Sequence, residues 1–181
     1  LKNCDGETLK QQIRVRILND IKLIQPAQRS EKSAAVQLKL KKLLNDEKGL
    51  WAGFNSLSTE PQIQWNQVSE NVQWCFPQTT EGNLLQFKKS VKNNQLSSLG
   101  VLEPIDGVDV SVSEISGVVL PAIAFDKAGY RLGRGKGFYD RTFKNFSGKK
   151  IGVCFEVALI EGVPTEDHDI KCDQIVTENN I

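Results

Sequence analysis

Methionine is missing from all 181 residues, histidine occurs once, and no long apolar run is present. With His168 alone, a histidine-based metal cluster is excluded. Cys4, Cys75, Cys154 and Cys172 have no close pairing along the chain, which argues against a zinc site or a disulfide framework. Cys75 and Cys154 sit within apolar runs, the pattern of reduced structural thiols, so a cytoplasmic location is expected. No stretch approaches the roughly 20 apolar residues that span a bilayer. The opening Leu1-Lys-Asn-Cys-Asp-Gly-Glu7 lacks the apolar centre of a secretory signal. Because the chain opens at Leu1 without an initiator, further residues are expected to precede it. A net charge of +1 supplies no global attraction to nucleic acid or membrane, so any preference for anions must be local.

What is present suits a single domain over residues 1–181. The length fits the prior of about 100–200 residues per domain, and 39% hydrophobic content is enough for one sizeable core. Leu9, Ile13, Ile17, Ile21 and Ile24 recur at helical spacing and predict a helix over 8–24, with Pro26 ending it. Lys10 and Arg14 lie one turn apart on that helix and can reach the same spot or solvate an exposed face. A second helix over 30–44 carries Ala34, Ala35, Leu38 and Leu43. Residues 50–54 and 72–76 read as strands separated by a polar helical stretch. Residues 84–87 and 99–102 read as further short strands, a hairpin on the sheet edge, and 103–116 as irregular. The continuous apolar run 118–121 is typical of a buried parallel strand. A helix over 138–146, a strand over 151–155 and a last strand over 174–177 follow. Strands alternating with helices predict an α/β fold with a largely parallel central sheet, whose ligands collect in the loops after the strands.

One segment stands out, Arg131-Leu-Gly-Arg-Gly-Lys-Gly-Phe-Tyr-Asp-Arg141. It alternates Gly133, Gly135 and Gly137 with Arg134 and Lys136, then closes on Phe138, Tyr139 and Asp140. Glycine lets backbone N–H groups approach a ligand, and such groups form an anion-binding concavity that the two cations reinforce. The segment thus reads as a polyphosphate cradle with a metal ligand in Asp140. The same glycines also suit a tight surface loop with its cations solvated. No Ser or Thr follows Lys136, so this is not a standard P-loop, and the third glycine falls one position early for the dinucleotide fingerprint.

The whole string, with Leu120-Pro-Ala-Ile-Ala-Phe-Asp126 before it, resembles the signature of the 5-formyltetrahydrofolate cyclo-ligase (methenyltetrahydrofolate synthetase) family. Four further segments are similar in the same order. Lys10-Gln-Gln-Ile-Arg14 resembles the opening helix, Glu60 the first acid of Glu-Val-Asp-Thr, Glu103-Pro104 a midway step, and Pro164-Thr-Glu-Asp-His-Asp169 the closing Pro-x-Glu-x-x-Asp.

The resemblance implies a Rossmann-like three-layer domain that converts 5-formyltetrahydrofolate to 5,10-methenyltetrahydrofolate with ATP and Mg2+. It assigns ATP binding to Lys10, Arg14, Arg131 and Leu132, to Gly133 through Gly137, and to Phe138 and Tyr139. Arg134 and Lys136 carry the catalytic charge. Asn55, Glu60, Arg134, Gly135, Lys136, Gly137 and Phe138 contact the folate, which can be polyglutamylated. Asp140 and Asp169 hold magnesium, although an Asp140 ion pair with Arg141 or a helix-side salt bridge, and a solvated Asp169, are the plain alternatives. Trp51 and Phe54 can line an apolar slot for the ring system or be core. Phe138 stands where the family has tyrosine, and Glu60-Pro-Gln-Ile63 departs from Glu-Val-Asp-Thr. A monomer that binds neither nucleic acid nor membrane is expected. Two other classes compete: a non-catalytic nucleotide- or folate-binding protein, and an RNA-binding module using Lys10, Arg14, Arg16 and Arg134, which the near-neutral charge opposes.

Overall fold

The computed structural model describes residues 3–166 and 169–181, with side chains from residue 6 onward; His168 lies outside them, as does the side chain of Cys4. Two helices open the chain, α1 (Asn3–Lys22) and α2 (Pro26–Leu43). Pro26 occupies the first turn of α2, where its missing N–H costs nothing, so it starts the second helix while α1 has already stopped at Lys22. There follow β1 (Gly49–Ala52), β2 (Val72–Thr79), β3 (Leu85–Lys89), β4 (Asn94–Leu96), β5 (Leu102–Pro104), β6 (Val108–Val110) and β7 (Ile115–Pro121). The remaining elements are β8 (Ala124–Asp126), β9 (Arg131–Leu132), α3 (Phe138–Thr142), β10 (Lys149–Val153), β11 (Leu159–Ile160) and β12 (Gln174–Val176).

The main sheet runs β12-β10-β7-β1-β2-β3-β6. Its first five strands are mutually parallel, and β3 and β6 add antiparallel pairings at one edge. Side chains alternate across it, so Val118 and Leu120 enter a core shared with Ile17 and Ile21 of α1. Val119 enters the opposite core, with Val36 and Leu40 of α2. A strand covered on both faces has no polar side, which is why β7 reads as unbroken apolar sequence.

Several expectations need correction. The buried stripe of α2 is Ser33, Val36 and Leu40, continued by Leu44, while Leu38 faces solvent. Leu9 of α1 is likewise exposed. The polar stretch between β1 and β2 forms only one 3-10 turn, Trp65–Gln67. Side chains of α2 take up its backbone donors instead: Gln62 N–H donates to Ser33 Oγ at 3.1 Å and Gln64 N–H to Gln37 Oε1 at 2.7 Å. Residues 99–102 do not pair with 84–87. β5 pairs with β4 in a separate two-stranded sheet, and β3 joins the main sheet. The segment 103–116, expected to be irregular, contributes β5, β6 and the start of β7. α3 stops at Thr142, short of residue 146.

Candidate functional site

β1 and β7 are neighbours in the sheet, yet β1 leads on to β2 on one side and β7 to β10 on the other. Connections that part in this way open a crevice at the carboxyl ends of the strands. A cavity of about 340 Å³ lies there, a size that suits a buried small-molecule moiety. Phe54, Asn55 and Glu60 line it from the connection after β1, and Pro121 and Ala122 from the end of β7. Lys10 and Arg14 reach it from α1, and residues 131–140 and Asp169 complete the wall. The residues expected to contact ATP, folate and magnesium therefore meet in one place, whereas Arg16 is exposed and does not line the cavity. Trp51 packs in the α2-side core.

The glycine loop is bent by Gly135 (φ 89°) and Gly137 (φ 64°), left-handed positions that glycine adopts without strain. Arg14 straps α1 to this loop, donating from Nε to the Gly133 carbonyl at 3.0 Å, and pairs with Glu7 at 2.8 Å. Lys10 is buried and pairs with Glu166 at 2.9 Å and Asp169 at 3.3 Å. Burial works against its charge, but those two carboxylates outweigh it and hold the ammonium above its ordinary pKa. Neither residue lies on a solvated helix face.

Arg131 and Leu132, the opening residues of the glycine-rich segment, form β9 and line the cavity. Leu132 is core, and Arg131 is buried with its guanidinium on Asp140, Nε to Oδ1 at 3.1 Å and Nη2 to Oδ2 at 2.8 Å. Asp140 thus pairs with Arg131 rather than with Arg141, which donates to the carbonyls of Asn83 at 3.0 Å and Lys136 at 2.5 Å. The Ile170 N–H also points at Asp140 Oδ1, 3.5 Å away, so Asp140 lies beside the segment that carries Asp169. Two carboxylates from separate elements facing one cavity suit a hard cation that takes few protein oxygens and keeps most of its water.

On the far wall Glu60 is buried, accepting the Leu57 N–H at 2.9 Å and facing Arg134 Nη2 at 3.3 Å. Burial pushes its pKa up, and the Leu57 N–H and Arg134 offset this only in part. Asn55 donates to the Leu102 carbonyl at 2.6 Å, tying β5 to the rim. Lys136 stays exposed at the mouth, and Phe138 and Tyr139 stand half-buried beside it.

Two contributors escaped sequence reasoning. Thr59 Oγ1 accepts from Arg134 at 2.7 Å, with no signal beyond its place next to Glu60. Glu103 is buried against Thr79, accepting its N–H at 3.0 Å and its hydroxyl at 2.9 Å, and so clasps the β4–β5 hairpin to the end of β2. The Glu103-Pro104 step was visible, but its role was not.

Comparison with known proteins bears on this site. The 5-formyltetrahydrofolate cyclo-ligase of Escherichia coli (strain K12) is 36% identical over 133 residues, spanning 69% of this chain and 73% of that protein. The yeast protein of the same name is 38% identical over 76 residues, or 37% of this chain and 36% of its own. The structure of Aquifex aeolicus 5,10-methenyltetrahydrofolate synthetase matches with a TM-score of 0.81 at 29% identity, covering 95% of this chain and 91% of that one. The synthetase from Mycoplasma pneumoniae shares the fold, with a TM-score of 0.77 at 18% identity over 93% of this chain and 98% of its own. The family model for 5-formyltetrahydrofolate cyclo-ligases matches residues 7–178, and the chain belongs to that family.

Proposed function

We propose that this protein closes 5-formyltetrahydrofolate to 5,10-methenyltetrahydrofolate, consuming ATP with Mg2+ and releasing ADP and phosphate. The observation that carries the reading is the meeting of Lys10, Arg14, Arg134, Lys136 and Glu60 around one cavity in a member of this family. A formyl group on N5 is an amide, with a weakly electrophilic carbon and an oxygen that leaves poorly. Attack of that oxygen on the γ-phosphorus forms an O–P bond as the bond to ADP breaks. N10 of the same folate then attacks the activated carbon and loses its proton, and phosphate departs with the former formyl oxygen. Proximity within one molecule makes this ring closure fast.

The protein's task is then placement and charge stabilisation rather than covalent catalysis. The amides of the glycine loop, with Arg134 and Lys136, hold the β- and γ-phosphates and stabilise charge moving between them. Arg14, already strapped to the loop, and Lys10 close the cationic enclosure from α1. Glu60 offers an acceptor to the amino-pyrimidine edge of the pterin, which donates hydrogen bonds. Asp140 and Asp169 are the residues that would hold magnesium, which supplies charge neutralisation between phosphate oxygens.

The test is turnover. Mixed with 5-formyltetrahydrofolate, ATP and Mg2+, the protein is expected to generate methenyl-folate absorbance, and removal of ATP or chelation of the metal is expected to stop it. Absence of product from folded protein overturns the reading. Calorimetric binding of both ligands without product selects the non-catalytic alternative.

A further inference from the structure

Three cations of the cavity pair with carboxylates away from the connection after β1: Lys10 with Glu166 and Asp169, Arg14 with Glu7, and Arg131 with Asp140. Arg134 is different. From the glycine loop it reaches the connection after β1, with Nη2 2.7 Å from Thr59 Oγ1 and 3.3 Å from Glu60 Oε1. The pair is unequal in exposure, since the Arg134 side chain is 41% accessible and that of Glu60 only 6%. Arg134 is therefore free to swing toward an incoming phosphate, whereas Glu60 is not free to follow it. Once Arg134 leaves, Glu60 keeps the Leu57 N–H but has lost its counter-charge in a buried position. A buried charge left without its partner is strongly unfavourable. A heterocycle edge presenting N–H donors to Glu60 restores what Arg134 had supplied.

We infer that Arg134 is shared between the two ligand sites, so that nucleotide and pterin bind with positive coupling, each freeing the group that the other needs. This rests on the reading of the cavity proposed above. By linkage the coupling is equal in both directions. A charge-assisted hydrogen bond in a buried setting sets its size at about tenfold to a hundredfold in affinity. Thr59 acts as a positioning residue, anchoring the resting guanidinium against Glu60.

The experiment is calorimetric titration of the full chain with a non-hydrolysable ATP analogue and Mg2+, with and without saturating 5-formyltetrahydrofolate, and the converse titration. Each ligand is expected to tighten the other by about tenfold or more, by the same factor both ways. In Glu60→Gln no charge is stranded when Arg134 leaves, so the nucleotide analogue alone is expected to bind several-fold more tightly and the coupling factor to fall toward one. Thr59→Val, which keeps Glu60, is expected to raise the affinity for the analogue alone in the same sense. Damage to the fold lowers affinities and does not raise them. Two ligands that both bind, with affinities indifferent to each other, overturn the coupling and leave the proposed activity standing. Failure of either ligand to bind overturns the reading beneath it as well.

Discussion

Replacing Asp140 by asparagine removes the counter-charge of a guanidinium that the fold has withdrawn from water. The Arg131 side chain is 4% accessible and that of Asp140 14%, and the two are joined by contacts of 3.1 and 2.8 Å. Among the described residues, Arg131 otherwise reaches only the Pro121 carbonyl at 3.4 Å and the ring of Tyr139, whose centroid is 5.2 Å away. Asparagine preserves one carbonyl acceptor, so the loss is one charge-assisted hydrogen bond plus the counter-ion. Hydrogen bonds to charged groups contribute about 1.5–3 kcal/mol, and outright rupture of a buried pair costs about 3–5 kcal/mol. With one acceptor retained, we expect a cost of about 2–3 kcal/mol. For a chain of this length each kcal/mol lowers Tm by about 2–4 °C, giving a fall of about 4–12 °C. Scanning calorimetry without ligands measures it, with Arg131→Met and the double variant completing a cycle. Coupling of about 1 kcal/mol or more is expected, because both single changes break the same pair. A Tm within about 2 °C of the parent, or simple additivity in the cycle, refutes the reasoning. If the fall is seen, lost turnover in Asp140→Asn has two causes, and the magnesium role must be judged from metal affinity instead.

Lys136 sits exposed at the mouth, and its ammonium makes no ion pair among the described residues. Lys136→Ala is therefore expected to lower kcat/KM by about 100-fold or more while Tm stays within about 2 °C; a comparable loss of stability contradicts a purely functional role. Gly135 has φ 89°, and a Cβ there would stand 3.6 Å from the Arg14 guanidinium. Gly135→Ala is expected to cost about 1–2 kcal/mol in backbone strain and to weaken nucleotide binding, read by denaturant titration and calorimetry; unchanged stability counts against the left-handed turn. Burial raises the Glu60 pKa, so the folded chain binds more protons than the unfolded one over the interval between the two values. Stability contributed at this site consequently falls as pH rises from about 4.3 and levels off above the folded value. The parent should lose Tm relative to Glu60→Gln across that interval, and a difference that moves the opposite way refutes the assignment.

Some of this molecule was legible because its sequence signals are local. The run 118–121 announced a strand buried on both faces, and the alternation of Gly133, Gly135 and Gly137 with cations marked the loop that borders the cavity. The α2 face was misplaced because Ala34 and Leu38 are apolar but exposed, whereas Ser33, a polar residue, is buried by its bonds to the Arg29 carbonyl and the Gln62 N–H. Hydropathy does not register a satisfied hydroxyl. The helix expected between β1 and β2 failed because donors there are met by distant side chains, which no window of neighbouring residues contains. Pairings such as Arg131 with Asp140, Arg134 with Thr59 and Glu103 with Thr79 depend on which loops the topology brings together. They appear only once the chain is folded.

Helix α2 lies outside the cavity, yet it governs the path of the segment that carries Glu60. Arg29 spans from the carbonyls of Ile21, in the last turn of α1, and Ile24, just beyond it, to the Ser58 carbonyl at 3.0 Å, and Ser33 and Gln37 hold the N–H groups of Gln62 and Gln64. Every one of those grips is on main-chain atoms, which are the same whatever side chain a position bears. The four residues Glu60-Pro-Gln-Ile63 can therefore differ from the family's Glu-Val-Asp-Thr while the trace they follow, and the carboxylate at its head, stay where α2 puts them.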